Sequence, residues 1–157
     1  MNNFDICLVR ASLADAKKIW NMQKEAFAEL FEKYQDFETS PAAEPLEKTI
    51  FRLKQPETYF YMIQLDKQTV GAMRVVDSGN NNRKRISPIF ILPKFRNMGI
   101  AQKAIILAEK IHGSKNWELD TIIQEKGNCH LYEKMGYRTT GKTKIINDKL
   151  TLVFYQK

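Results

Sequence analysis

Arg96, Gly99 and Ala101 stand where an apolar run, Ile89-Phe90-Ile91-Leu92, stops at Pro93 and a helix expected over Ile100–His112 begins. A strand that turns through glycine into a helix N-terminus can hold phosphate. The first amides of such a helix lack intrahelical acceptors, and the helix dipole favours negative charge beside them. Gly99 and Ala101 are small, so a ligand can approach the main chain closely. Lys94, Arg96 and Lys103 add positive charge around the same turn. Asn128 and Tyr132 form a second group. They share one face of a short helix expected over Asn128–Met135, just ahead of Gly136-Tyr137. Read alone, Asn128 is an N-cap after Gly127 and Tyr132 a half-buried aromatic.

Taken together, the two segments resemble those of the GCN5-related N-acetyltransferases. That family writes its acetyl-CoA turn as Gln or Arg, two residues, Gly, one residue, then Gly or Ala. This chain has Arg96-x-x-Gly99-x-Ala101. Its later segment, Gly127-Asn128-Cys129-His130-Leu131-Tyr132-Glu133-Lys134-Met135-Gly136-Tyr137, is similar to the family's Asn and Tyr one helical turn apart before a Gly-aromatic pair. Order and spacing agree over nearly the whole chain. The resemblance implies acetyl-CoA as cosubstrate and no metal. It implies that Arg96, Asn97, Met98, Gly99, Ile100 and Ala101 hold the pyrophosphate, largely through the main chain. Ile91 would pair with pantetheine, Asn128 would contact the pantetheine arm, and Tyr132 would donate to the coenzyme sulfur. The implied reaction moves an acetyl group to a primary amine of a small molecule or peptide, by direct attack in a ternary complex. Two other readings stay open: an RNA-binding module or charged-tRNA acetyltransferase using Arg83-Lys84-Arg85, and a non-catalytic CoA-binding domain.

Amine attack on a thioester needs a donor for the oxyanion, a donor for the leaving sulfur and a route for the amine's proton. Pro88 cannot donate to a ladder, so it marks an edge or bulge in its strand. Backbone N–H groups at Phe90 or Ile91, just past it, are the expected oxyanion donors. No acid stands on Ile86-Ser87-Pro88-Ile89-Phe90 to serve as base. A lysine-like amine of pKa about 10.4 is neutral only about once in 2,500 at pH 7, roughly 4.6 kcal/mol of deprotonation. An α-amino group near 7.8 costs only about 1 kcal/mol. A water chain ending on Ser87, or on a carboxylate among residues 29–44, is the expected proton route. From Glu25 to Glu47 the chain carries seven acids and one base, net −6 within a total of +7. In the resembling fold this region walls the acceptor site. An acidic wall there would suit a cationic amine, such as a polyamine, aminoglycoside or lysine side chain; Asp36, Glu38 and Glu44 are the expected acceptor-binding acids, with Tyr34 and Phe37 as their aromatic neighbours in the site. Glu25, Glu29 and Glu32 fall opposite the apolar stripe of their helix and read as a solvated face.

Periodicity supplies the scaffold. Residues 5–10 read as a strand. Leu13–Tyr34 reads as an amphipathic helix behind Ser12, with Asp15 at the capping-box position. Glu44–Leu53 reads as a second helix, and Glu57–Asp66 and Thr69–Val76 as a hairpin around Asp66-Lys67-Gln68. Strands follow at Arg85–Leu92 and Glu118–Ile123, and a last hairpin joins Tyr137–Ile145 to Leu150–Gln156 across Asn147-Asp148. The expected class is α/β: a mixed, mostly antiparallel sheet with helices on both faces and a splayed cofactor cleft.

At 157 residues the chain suits a single domain, 1–157, with an ordinary apolar fraction of 43%. It lacks a run of about 18 apolar residues, so no membrane span is expected. Met1–Asp5 has neither a basic nor a long apolar leader segment. Two cysteines, Cys7 and Cys129, make no disulfide framework, and with His112 and His130 they lack zinc-site spacing. A reducing cytoplasmic compartment fits best. His112 reads as a helix-end histidine favouring the dipole, His130 as surface and Cys129 as a small buried thiol. The charge of +7 suits solubility or a phosphorylated ligand, with nucleic acid less favoured. A two-fold homodimer is the commonest assembly.

Overall fold

The computed structural model describes residues 5–157, so Met1–Phe4 and the reading made of them lie outside the described residues. Among the described residues seven strands form one sheet: β1 (Ile6–Arg10), β2 (Thr58–Leu65), β3 (Gln68–Val76), β4 (Lys84–Ile91), β5 (Trp117–Ile122), β6 (Arg138–Ile145) and β7 (Thr151–Gln156). Their spatial order is β1-β2-β3-β4-β5-β7-β6. Every neighbouring pair is antiparallel except β4 and β5. The described residues also form four α-helices: α1 (Ala16–Tyr34), α2 (Leu46–Lys54), α3 (Ile100–His112) and α4 (Lys126–Lys134). The expected α/β class and mixed sheet are the ones observed.

Strand alternation sorts the core onto two faces. Phe60, Met62, Ala72 and Phe90 meet Ile19, Met22 and Ala26 of α1. Tyr61, Ile63, Met73, Val75 and Ile91 meet Ile100, Ala104, Ile105 and Ala108 of α3. Trp117, Leu119, Tyr132, Tyr137 and Tyr155 complete the second cluster.

Local chemistry moves several boundaries. Asp66 and Lys67 both take left-handed φ, 49° and 68°. That makes a tight two-residue hairpin turn, and Gln68 pairs with Leu65 rather than joining the loop. Ser12 N–H donates to Asp15 Oδ2 at 2.9 Å, but Leu13–Asp15 is a 3₁₀ turn and α1 begins only at Ala16. Helix α4 begins earlier than expected, at Lys126. The Glu125 carbonyl accepts from the amides of Asn128 (3.1 Å) and Cys129 (3.2 Å), so Asn128 lies inside the first turn and is not its cap. His112 ends α3 as expected but is buried. Its Nδ1 lies 2.8 Å from Asp77 Oδ2 and its Nε2 2.8 Å from the Tyr61 hydroxyl. Burial of a polar ring demands such partners, and helix periodicity alone could not name them.

At Pro88 the β3–β4 register shifts between Met73 and Val75, leaving Arg74 opposite the irregularity. Arg74 Nη1 donates to the Ser87 carbonyl at 2.6 Å, supplying the partner that the broken ladder withholds. Burial first, then the charges of Arg52 and Arg85, lower this guanidinium to about 10.

Gly71 fixes how close β3 lies to β4: an added Cβ would stand 2.2 Å from the Phe90 carbonyl oxygen. Gly71→Ala should therefore push β4 aside and cost about 2 kcal/mol or more. The measurement is thermal unfolding; an unchanged Tm would show that β4 gives way freely.

Candidate active site

β4 and β5 run parallel but pair only at Lys84–Trp117 and Arg85–Glu118. Past that rung β5 bonds to β7, and β4 keeps only β3. The Leu92 amide donates to Val70 O at 2.8 Å, toward β3. Alternation then turns the Phe90 amide to β3 as well, and leaves those of Ile89 and Ile91 aimed into the gap. Of the two amides expected to meet an oxyanion, the register thus frees that of Ile91, whereas that of Phe90 belongs to the ladder. The Phe90 ring packs edge-on against Phe27 of α1, with centroids 5.7 Å apart.

The gap opens onto the turn before α3. Asn97 and Gly99 take left-handed φ of 63° and 78°. Among the described residues, and leaving aside its chain neighbours, no atom lies within 4 Å of a Cβ built on Gly99, so the space before the turn is open. Among the described residues, no loop or cap hydrogen bond engages the amides of Asn97 to Gln102. The Arg96 side chain bonds within the fold. Its Nε donates to Ile91 O at 3.1 Å and its Nη2 to Ala26 O, tying the turn to the end of β4 and to α1. Met98 packs against the core, and its side chain is absent from the cavity wall. The cavity itself measures about 490 Å³ and is walled by Ile89–Ile91, the Phe95–Gln102 turn and α4.

A second cavity of about 450 Å³ adjoins it on the α1 side of the fork. Phe27, Leu30, Ile89, Asn128 and Tyr132 line both. Tyr132 is 8% exposed, and its ring packs 6.0 Å from that of Tyr137. Its hydroxyl takes no hydrogen bond among the described residues. Burial first, then the negative charge of Asp120, pushes this phenol up to about 12. It is therefore a neutral hydrogen-bond donor across the physiological range.

The expected acceptor residues divide. Ser87 and Asp36 line the second cavity, but Tyr34 and Glu38 do not. The Tyr34 hydroxyl donates to Glu125 Oε2, which also takes Lys33 Nζ at 2.9 Å. Burial would raise the Glu125 carboxyl, but these two donors hold it below its ordinary value. Tyr34 thus pins the end of α1 to the start of α4. Asp36 caps its own loop, accepting from the amides of Glu38 (3.1 Å) and Thr39 (2.8 Å) and from the Thr39 hydroxyl. Glu44 is held bidentately by Arg52 at 2.7 and 2.9 Å. Of the acidic stretch, Asp36 and Glu44 are thus engaged in a loop and in an ion pair, and Glu38 is exposed. The basic run also disperses. Lys84 Nζ donates to Lys115 O at 2.8 Å, while Arg85 turns into the second cavity and pairs with Asp120. Asp120, Arg85 and Lys144 line that cavity without having been picked out as its residues. Nothing local marked them. Only the strand order brings β5 and β6 to face α1.

An unpaired strand edge leads from an amide-lined turn to a buried phenol, the layout expected of an acyltransferase that draws its acyl group from a coenzyme A thioester. The model of the acetyltransferase (GNAT) family matches residues 17–137, and the chain belongs to that family. Solved structures agree in fold. The microcin C7 self-immunity acetyltransferase MccE, with acetyl-CoA and AMP, aligns at TM-score 0.73 and 16% identity, covering 99% of this chain and 93% of its own. Spermidine N-acetyltransferase from Vibrio cholerae, with CoA and spermine, gives 0.74 and 17%, over 96% and 93%. PaiA N-acetyltransferase from Thermoplasma acidophilum, with coenzyme A, gives 0.71 and 14%, over 98% and 99%. No curated protein sequence matches the chain.

Removing the Arg96 ties should loosen the turn. Arg96→Ala is expected to weaken acetyl-CoA binding about tenfold, near 1.4 kcal/mol, and to lower Tm by several degrees. Calorimetric titration checks the first and thermal unfolding the second; native values for both would make the ties incidental.

Proposed function

We propose that the protein transfers an acetyl group from acetyl-CoA to a primary amine of a small molecule or peptide, by direct attack in a ternary complex. The observation that carries this reading is the meeting of the two cavities at Tyr132. A coenzyme threaded past β4 would present its thioester at that junction, and an amine in the second cavity would approach from the opposite side. No covalent relay is needed in such an arrangement. The Vibrio cholerae neighbour's spermine supports an amine as the acceptor class.

In this reading the diphosphate rests on the amides of the Arg96–Ala101 turn, and Asn128 faces the pantetheine arm. The Ile91 amide, aimed into the gap, stabilises the oxyanion or pairs with pantetheine. Tyr132 acts on the departing sulfur. A phenol near 12 would protonate a thiolate of ordinary pKa about 8.5 only at a cost of roughly 5 kcal/mol. Its contribution is therefore a hydrogen bond to charge developing on sulfur, with the proton shared rather than surrendered. Such a donor is strongest where water is excluded. The reading also carries a cytoplasmic setting, which suits the unpaired Cys7 and Cys129, and a two-fold homodimer. Among the described residues no helix is long and apolar enough to cross a membrane.

Tyr132→Phe should lower kcat about ten- to a hundredfold while leaving acetyl-CoA affinity within about twofold of the native value. Because the neutral phenol is the working form and its pKa is raised, Tyr132 should add no basic limb to the pH profile below about pH 11. Steady-state rates with a primary amine, beside a direct binding titration, test both statements; unchanged kcat removes Tyr132 from the reaction.

A further inference from the structure

The amine's proton has no destination on β4, whose cavity-facing stretch Ile86–Ile89 bears no acid. Among the described residues two carboxylates line the acceptor cavity, Asp36 and Asp120. They differ in what their oxygens already do. Asp36 is 4% exposed, and both its oxygens accept from its own loop. Asp120 stands on β5, just past the rung where β4 departs. Arg85 Nη2 donates to its Oδ2, and no described group bonds Oδ1. Its side chain keeps 23% exposure, toward the cavity.

Resting on the proposed acetyl transfer, we infer that Asp120 receives the acceptor's ammonium through Oδ1 and takes its proton, and that the cavity selects an amine with one cationic centre on an apolar body. One N–H bond breaks and its proton passes to Asp120 and on to water. The freed nitrogen pair forms the C–N bond, and the carbonyl pair moves to oxygen. That pair returns as the C–S bond breaks, and the second N–H proton neutralises the departing thiolate beside Tyr132. Substrate plus thioester thus give amide, thiol and one released proton.

Charge around the site supports the acceptor class. Asp120 is faced by Arg85 from β4, Tyr132 from α4, Asp36 from the α1–α2 connection and Lys144 from β6. The two cations and two carboxylates cancel formally. A polyamine would bring further positive charges into a cavity holding one unoccupied carboxylate oxygen and Lys144. The remaining wall is largely apolar, with Phe27 and Leu30 on one side and Leu152 and Phe154 on the other. A body of aliphatic or aromatic carbon fits those surfaces. Arg85 acts as a positioning residue, holding one carboxylate oxygen so that the other points inward.

The test uses the full chain, acetyl-CoA, and 2-phenylethylamine, leucinamide and spermidine as probes, with products weighed by mass spectrometry. The native protein should acetylate the two monoamines with kcat/KM at least about tenfold above that for spermidine. With 2-phenylethylamine, Asp120→Asn should lower kcat/KM about a hundredfold or more at pH 7; with leucinamide, whose α-amino group lies near 7.8, the loss should stay under about tenfold. The pH profile separates proton transfer from support of the fork. If Asp120 takes the proton, the variant works only on the free amine, so its deficit shrinks about tenfold per pH unit up to the amine's pKa. Asp120→Glu should restore the native profile in shape. A deficit equal at every pH marks Asp120 as a strut with Arg85 and overturns the inference. Native rates in Asp120→Asn, or preference for spermidine, overturn it also, while leaving acetyl transfer in place. No product from any amine with the native protein would overturn both.

Discussion

After Arg85, β4 has a strand on one side only among the described residues. Inside a folded chain a strand edge normally finds a partner, because an unpaired buried amide costs about 1–3 kcal/mol. Here the amides of Ile89 and Ile91 face a cavity, and in the proposed reading that exposure gives the coenzyme its track. The same parting sets β5 and β7 back far enough for a second cavity beside the first. Both chambers, and the phenol between them, follow from one missing set of hydrogen bonds.

Holding two strands apart requires support from outside the ladder. Helix α1 supplies most of it. Ile19, Met22 and Ala26 cover one face of β2, β3 and β4, and the Ala26 carbonyl takes Arg96 from the turn before α3. At the far end of α1 the Tyr34 carbonyl accepts from Asn147 Nδ2 at 2.9 Å, while its hydroxyl reaches Glu125. The roof of both cavities is thus tied to β4, to α4 and to the β6–β7 turn. Arg74 and Arg85 work at the fork itself: one satisfies the carbonyl freed at Ser87, the other bridges to Asp120. These ties are buried or half-buried, so water competes with them weakly.

The sequence showed the parts whose chemistry is local. The Gly99 turn, the span of α3, the Asn128–Tyr132 spacing and the irregularity at Pro88 all announce themselves within a few residues. Register and strand order are not local. Which of Phe90 and Ile91 frees its amide depends on pairing with β3, and a one-residue shift reverses the answer. Asp120 could not be recognised because its proposed role depends on β5 lying beside β4 and facing α1. The acidic stretch misled for a related reason. Composition counts charges, but Asp36 and Glu44 spend theirs on a loop and on Arg52, and Glu38 points to water. His112 was read by its place in α3, and its partners came from β2 and the residue after β3.

Amide chemical shifts followed while coenzyme A is added test the central claim most directly. The account expects the largest changes at Asn97 to Gln102 and at Ile89 and Ile91, with Phe90 and Leu92 moving far less because β3 already holds them. Perturbations clustered elsewhere, with the turn and the β4 edge unmoved, would contradict it.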